Sequence, residues 1–169
     1  MIVSFTGHRP DKISGWGEAS GAIEVAIRRS TSEEIVRLVK EEGATTFMSG
    51  MAPGFDLWAA DEVLRLRAEG KINGDVRLLL AVPYPHFERS FSAEYRPLYQ
   101  SIMAEADEII YVSQGYHRGC YTRRNDFLAQ NADLVLAYYE GSEGGTRYTC
   151  RKAEKGGKKV INIYNRKLF

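Results

Sequence analysis

A chain of 169 residues with 44% hydrophobic content is long enough for one domain with a substantial core. Its 23 basic and 22 acidic residues leave a formal net charge of +1, which excludes an overall field that would draw nucleic acid or an anionic membrane, so any anion site must be local. No apolar run approaches the roughly 20 residues that span a bilayer. With only Cys120 and Cys150 and no legible targeting segment, the expectation is a soluble, cytoplasmic protein in a reducing compartment.

Taken in chain order, "MIVSF" reads as a first strand covered on both faces. It stops at Thr6-Gly7-His8-Arg9-Pro10. From Gly21 to Glu42, Ile23, Ile27, Ile35, Leu38 and Val39 keep a helical period and Gly43 supplies a stop; "TSEE" from Thr31 fits a capping box, so this segment is one helix or two. "ATTFMS" is a second strand, and Phe55, Ala59, Glu62, Val63 and Leu66 form one stripe of the next helix, closed by Gly70. "INGD" turns into a third strand, "DVRLLLAV". Phe91, Tyr95, Leu98, Ile102 and Ala106 follow at helical spacing, where Pro97 either kinks the helix or starts a second one. "EIIYV", "DLVLAYY" and "KKVINIY" complete six strands of the doubly covered kind, with shorter helices over Tyr121 to Asn131 and Thr146 to Lys155. Strand and helix alternate with no linker, which predicts one Rossmann-like three-layer α/β/α domain over 1–169 with a mainly parallel sheet.

In such a sheet ligands bind outside the carboxyl ends of the strands. The loops to examine are therefore "TGHRP", "SGMAPGFD", "PYPH", "SQGYHRGCYTRRN" and "EGSEGGT". Gly50 and Gly54 permit close backbone approach, and a helix starting near Pro53 or Gly54 would point free N–H groups at an anion. Asp56 either caps that helix or accepts from ribose hydroxyls. Gly144, Gly145 and Thr146 repeat the device at the last helix. Neither G-x-G-x-x-G after the first strand nor G-x-x-x-x-G-K-[ST] is present, so an ordinary dehydrogenase or P-loop NTPase is not supported. His8 and Arg9 can bind phosphate, and Arg124 with Asn125 can grip a phosphate and a base edge. His8, His86 and His117 have no metal-ligand spacing with cysteine or carboxylate, so no metal is expected. Tyr84, Phe87, Phe91, Tyr95, Tyr116 and Tyr121 either stack on a base or pack a lid or subunit interface. Cys150 reads as a small core residue and Trp58 as core or dimer contact.

"TGHRP", "SGMAPGFDLWAADEV", "AVPYP", "RRNDFLAQNADLVLAYYEG" and "GGTRYTCRKAEKGGKKVINI" together resemble the YpsA and YoqJ group of bacterial and phage proteins, within the SLOG superfamily named after DprA and LOG. The resemblance runs in order over almost the whole chain. It implies a Rossmannoid that binds a nucleotide or nucleotide-derived ligand, of the ADP-ribose or NAD-derivative class, with no further cofactor. By position it assigns Thr6, Gly7, His8 and Arg9 to the first ligand loop and Ser49, Gly50, Gly54 and Asp56 to the second. Arg124 and Asn125 match the basic-amide pair, and Gly144, Gly145 and Thr146 the last phosphate turn. LOG-type enzymes carry P-G-G-x-G-T-x-x-E, whose glutamate helps cleave an N-glycosidic bond; here Arg147 replaces the third glycine and Arg151 falls where that glutamate would stand.

The leading expectation is a sensing, sequestering or regulatory domain for such a ligand. The alternative is an N-glycosidase acting on a nucleoside monophosphate or NAD-related substrate, for which Asp56 and Glu94 are the available carboxylates. DNA binding follows only from the distant DprA likeness, and an interaction protein with a secondary pocket remains a further reading. A homo-oligomer is implied by the resemblance alone.

Overall fold

The computed structural model describes residues 1–164. The last five residues of the expected 1–169 domain lie outside that range. Among the described residues six strands form one sheet, β1 (Ile2–Gly7), β2 (Thr46–Ser49), β3 (Arg77–Val82), β4 (Glu108–Tyr111), β5 (Leu134–Tyr138) and β6 (Lys159–Asn162), in the order β4-β3-β2-β1-β5-β6. Every pairing is parallel. The expected three-layer Rossmann-like architecture is therefore the observed one.

Strand alternation explains the two covering layers. On β5, Leu134, Leu136 and Tyr138 join the large core beneath α1 (Trp16–Glu42), α2 (Phe55–Ala68) and α3 (Arg96–Glu105). Val135 and Ala137 point the other way, into a cluster of small side chains with Ala129, Ala132, Cys150 and Ala153. Those residues belong to, or adjoin, α4 (Cys120–Asn131) and α5 (Gly145–Lys155), and their small volume lets both helices lie close to the strands. Ser4, facing the same way, donates its hydroxyl to the Leu128 carbonyl at 2.8 Å. The expectation that every strand is covered on both faces fails at the edges: β4 is largely exposed, with Tyr111 at 45%, and β6 is only half-buried. An edge strand has a neighbour on one side only, and the helices of this chain cover its centre.

α1 is a single helix through the "TSEE" segment, with one non-helical residue, Ala19, near its start. Thr31 does not cap a second helix; its hydroxyl bonds the Ile27 carbonyl one turn back at 2.7 Å. Gly43 ends the helix in the left-handed region at φ 73°, as a C-terminal glycine does. Pro97 sits in the first turn of α3, where its missing N–H costs nothing, and two short 3-10 turns, Phe87–Ser90 and Ala93–Tyr95, precede that helix.

Strands β2, β3 and β4 spread to one side of β1, and the chain then returns to place β5 on the other. The order reverses between β1 and β5. A crevice opens there, outside the carboxyl ends of these two strands.

Candidate functional site

The crevice encloses about 220 Å³. One wall is the loop after β1, which contributes Thr6, Gly7, His8, Arg9 and Lys12; the other is the turn from Ser142 to Thr146 that opens α5. Tyr121, Arg124 and Asn125 of α4 form the floor between them, with Ala52 and Asp56.

The first wall is shaped by a glycine. A β-carbon on Gly7 would lie 2.4 to 2.6 Å from the buried Phe55 side chain, so only a bare α-carbon lets β1 leave the sheet over α2. The Gly7 N–H then donates to the Asp56 carboxylate at 3.1 Å. Asp56 is thus neither an N-cap, a position taken by Gly54, nor a free ribose acceptor on that oxygen. Its carboxyl is buried, and desolvation pushes its pKa up to about 6 against the opposing pull of Arg124 and Arg9.

Of the second loop, Ala52 and Asp56 line the cleft, whereas Ser49, Gly50 and Gly54 support it from behind. Ser49 is buried and bonds the Asp56 carbonyl at 2.8 Å, and the N–H of Met51, held at a φ of 65°, donates back to the Ser49 hydroxyl at 3.1 Å. Gly50 offers its carbonyl to Nη1 of Arg124. Gly54, at φ 94°, has the His8 carbonyl 2.6 Å from where a β-carbon would stand. The expected open N-terminus at α2 is partly occupied, because the first N–H, that of Phe55, donates to the His8 carbonyl at 3.2 Å. Gly50 therefore bears on Arg124, Gly54 on the first loop, and Ser49 on the backbone at Asp56 and Met51.

At α5 the expectation of an open terminus holds. The first intrahelical bond runs from the Tyr148 N–H to the Gly144 carbonyl, leaving the N–H groups of Gly145, Thr146 and Arg147 without an acceptor inside the helix. Glycines make room there for donors from two other elements. A β-carbon on Gly144 would lie 3.0 Å from Lys12 Nζ, and one on Gly145 would lie 3.1 Å from Asn125 Nδ2.

Arg124 is 5% exposed and no carboxylate lies within ion-pair distance of it among the described residues. Its Nε–H donates to Asn125 Oδ1 at 2.9 Å and its Nη1 to Gly50. Burial pulls its pKa downward, partly offset by the charge of Asp56. Arg9, half-buried, makes no side-chain hydrogen bond or ion pair with another described residue. Three cations, an amide and a helix N-terminus thus converge on one space, and the carboxylates there, Asp56 and Glu143, form no ion pair with any of the three. Such an arrangement stabilises an anion with several acceptor oxygens.

His8 lies in this wall with its Nε2–H donating to the Glu140 carboxylate. Glu140 is held at about 2, first by the Ser142 hydrogen bond and then by His8. Lys12, Glu140 and Ser142 were not singled out from the sequence, although the last two lie in the glycine-rich loop flagged there. Lys12 gave no signal, since its place depends on the 3-10 turn Pro10–Lys12 bending back to the cleft.

Glu94 does not join Asp56. It lines a separate depression on the far side of Arg9, and its carboxylate accepts from the Ser92 hydroxyl at 3.4 Å. The aromatic side chains pack mainly on one another: Tyr84 lies 5.5 Å from Phe87 and 5.7 Å from Tyr116, and its hydroxyl is 3.2 Å from that of Tyr121. Only Tyr121 of this group lines the cleft. Cys150 is buried and its thiol is pushed up to about 12 by desolvation, the state of an inert core residue. Arg151 lies away from the cleft, in a groove with Tyr148, Lys152, Lys155 and Lys158.

A family model described as the YspA SLOG family matches residues 3–166. The chain belongs to the YspA SLOG family. It is 27% identical over 153 residues to a UPF0398 protein of Brevibacillus brevis, covering 89% of this chain and 79% of that one. It is also 27% identical over 133 residues to the SPbeta prophage-derived protein YoqJ of Bacillus subtilis, covering 72% and 76%. Among solved structures it resembles DNA processing protein A of Helicobacter pylori with a TM-score of 0.64 and 17% identity, over 96% of this chain and 64% of that one. DprA of Streptococcus pneumoniae aligns with a TM-score of 0.56 and 17% identity, and this SLOG chain spans about half of it, 49%. These likenesses establish the fold. Among the described residues no helix is long and apolar enough to cross a membrane, and no three His, Cys, Asp or Glu side chains gather as a metal site would need.

Proposed function

We propose that this protein binds a nucleotide-derived small molecule of the ADP-ribose or NAD-derivative class, with the phosphate of that ligand in the cleft between β1 and α5, and acts by sensing or sequestering it in the cytoplasm. The observation that carries this reading is the convergence of Arg124, Arg9, Lys12 and the Asn125 amide on the uncapped N-terminus of α5. A buried guanidinium without a carboxylate partner is costly unless an anion completes it. Thermal unfolding with ADP-ribose, NAD, AMP and cyclic ADP-ribose isomers tests the reading. A ligand at one hundred times its dissociation constant adds about 2.7 kcal/mol of stability. Arg9→Ala and Asn125→Ala should remove that gain while leaving the unliganded fold intact. Unchanged affinity in both variants defeats the assignment. Product analysis of any hit separates binding from hydrolysis, for which Asp56 is, of the two carboxylates expected from the sequence, the one within the cleft.

A second reading, single-stranded DNA, has one observation in its favour beyond the fold shared with DprA, whose Helicobacter pylori form is described as binding single-stranded DNA. The groove between α4 and α5 carries Arg151, Lys152, Lys155 and Lys158 beside the exposed ring of Tyr148, a combination of backbone charge and stacking surface. Binding there would weaken steeply as salt rises. Salt-independent or absent binding of an oligonucleotide removes this reading.

A further inference from the structure

The cleft has a neighbour that is richer in aromatic rings and poorer in cations. On the other side of the Arg9-Pro10 ridge lies a depression of about 360 Å³, lined by Trp16, Phe91, Ser92, Glu94 and Tyr95 along with Arg9 itself. Arg9 belongs to both spaces.

The two sides select for different groups. Each space holds two carboxylates, Asp56 and Glu143 in the cleft and Asp11 and Glu94 in the depression, but the cleft sets Arg9, Lys12, Arg124 and the α5 N–H groups against them, whereas the depression has three aromatic rings and Arg9 alone. Trp16 is held in place by stacking on Trp58, with ring centroids 5.3 Å apart, and Tyr95 is half-buried and packs against the same core. Burial first, and then the negative charges of Glu94, Glu24 and Asp11, raise the pKa of the Tyr95 hydroxyl. A second phosphate in this depression would meet that field. A planar ring with donor groups on its edge would not, since it could lie against the aromatic faces and donate to the carboxylates.

We infer that the depression is a base subsite of the same site, taking a heteroaromatic base with an exocyclic amine, so that one ligand straddles Arg9 with its phosphate in the cleft and its base against Tyr95 and Glu94. This rests on the anion-binding reading of the cleft. It goes beyond it by assigning the ligand's second end and by predicting that ligands anionic at both ends are excluded.

The test uses two probes, ADP-ribose and ribose 5-phosphate, titrated calorimetrically against the unaltered protein, Tyr95→Ala, Glu94→Gln and Lys12→Ala. All three altered side chains are at least partly exposed, so the fold should survive, and circular dichroism checks that it does. The inference expects ADP-ribose to bind at least tenfold more tightly than ribose 5-phosphate, and Tyr95→Ala and Glu94→Gln to erase most of that difference without changing ribose 5-phosphate affinity. Lys12→Ala should weaken both probes. Loss in Lys12→Ala with full ADP-ribose affinity in Tyr95→Ala and Glu94→Gln overturns the base subsite and leaves the cleft reading standing. No binding of either probe to the unaltered protein overturns both.

Discussion

The Nε–H of Arg124 donates to Oδ1 of its neighbour Asn125 at 2.9 Å, and this bond decides which end of the amide faces the cleft. With Oδ1 occupied, Nδ2 is turned toward Gly145 at the start of α5. Asn125→Asp keeps the acceptor for Arg124 but replaces a donor by a negative charge. Affinity for ADP-ribose should fall on the order of ten- to hundredfold, the worth of a hydrogen bond to a charged group. Calorimetric titration beside a thermal melt will show whether binding drops while the fold is kept.

Two glycines of the second loop should respond differently to alanine. At Gly50 the new methyl would lie 2.7 Å from Nη1 of Arg124, a side chain that can shift, so binding should fall sharply with a modest loss of stability. At Gly54 it would meet the backbone carbonyl of His8 at 2.6 Å, at a φ of 94° that alanine resists. Gly54→Ala should therefore cost the larger share of stability, as comparison of the two urea denaturation midpoints will reveal.

Gly7→Ala places a methyl against Phe55, which is fully buried and stacked on Tyr138 with centroids 5.9 Å apart. Overpacking of this kind costs about 1–3 kcal/mol. Equilibrium unfolding measures it, and a variant as stable as the parent would mean that Phe55 has room to move.

Asp56 predicts a particular pH dependence. Its pKa is about 6 in the folded protein against 3.8 for the unperturbed group, so between these values folding takes up a proton. Its contribution is fully present below 3.8 and is lost as pH rises through about 6. Relative to Asp56→Asn, the parent protein should lose stability across that window, on the order of 3 kcal/mol in total. ADP-ribose, whose pyrophosphate stays ionised throughout, should bind more tightly at pH 5 than at pH 8, because an anion favours the neutral carboxyl. Glu140 has the reverse sign: held at about 2, it stabilises above its ordinary 4.5 and loses that effect as pH falls toward 2. Denaturation and titration series over pH separate the two.

The strands were legible because doubly covered strands read as unbroken apolar runs, and "RLLLAV" is one. The same rule located "EIIY" as a strand but overstated its covering, since three apolar letters after a glutamate do not say that a strand has a neighbour on one side only. The cleft was legible in Gly144, Gly145, Arg124 and Asn125, where residue chemistry and loop position coincide. Gly50 and Gly54 were also picked out correctly as places of close approach, but what approaches is Arg124 and the His8 carbonyl. Lys12 and Glu94 illustrate the remainder. One enters the site and the other leaves it through the paths of 3-10 turns, which no periodicity encodes.

The strand order gives the site an unusual history within each molecule. Val3 pairs with Leu134, and the pairing of β1 with β5 brings Arg9 to the same cleft as Arg124 and Gly145. During synthesis the first four strands can assemble side by side as they emerge, but the cleft has no second wall until α4, β5 and α5 have followed. The cleft is consequently complete only when the carboxyl-terminal third of the chain is in place.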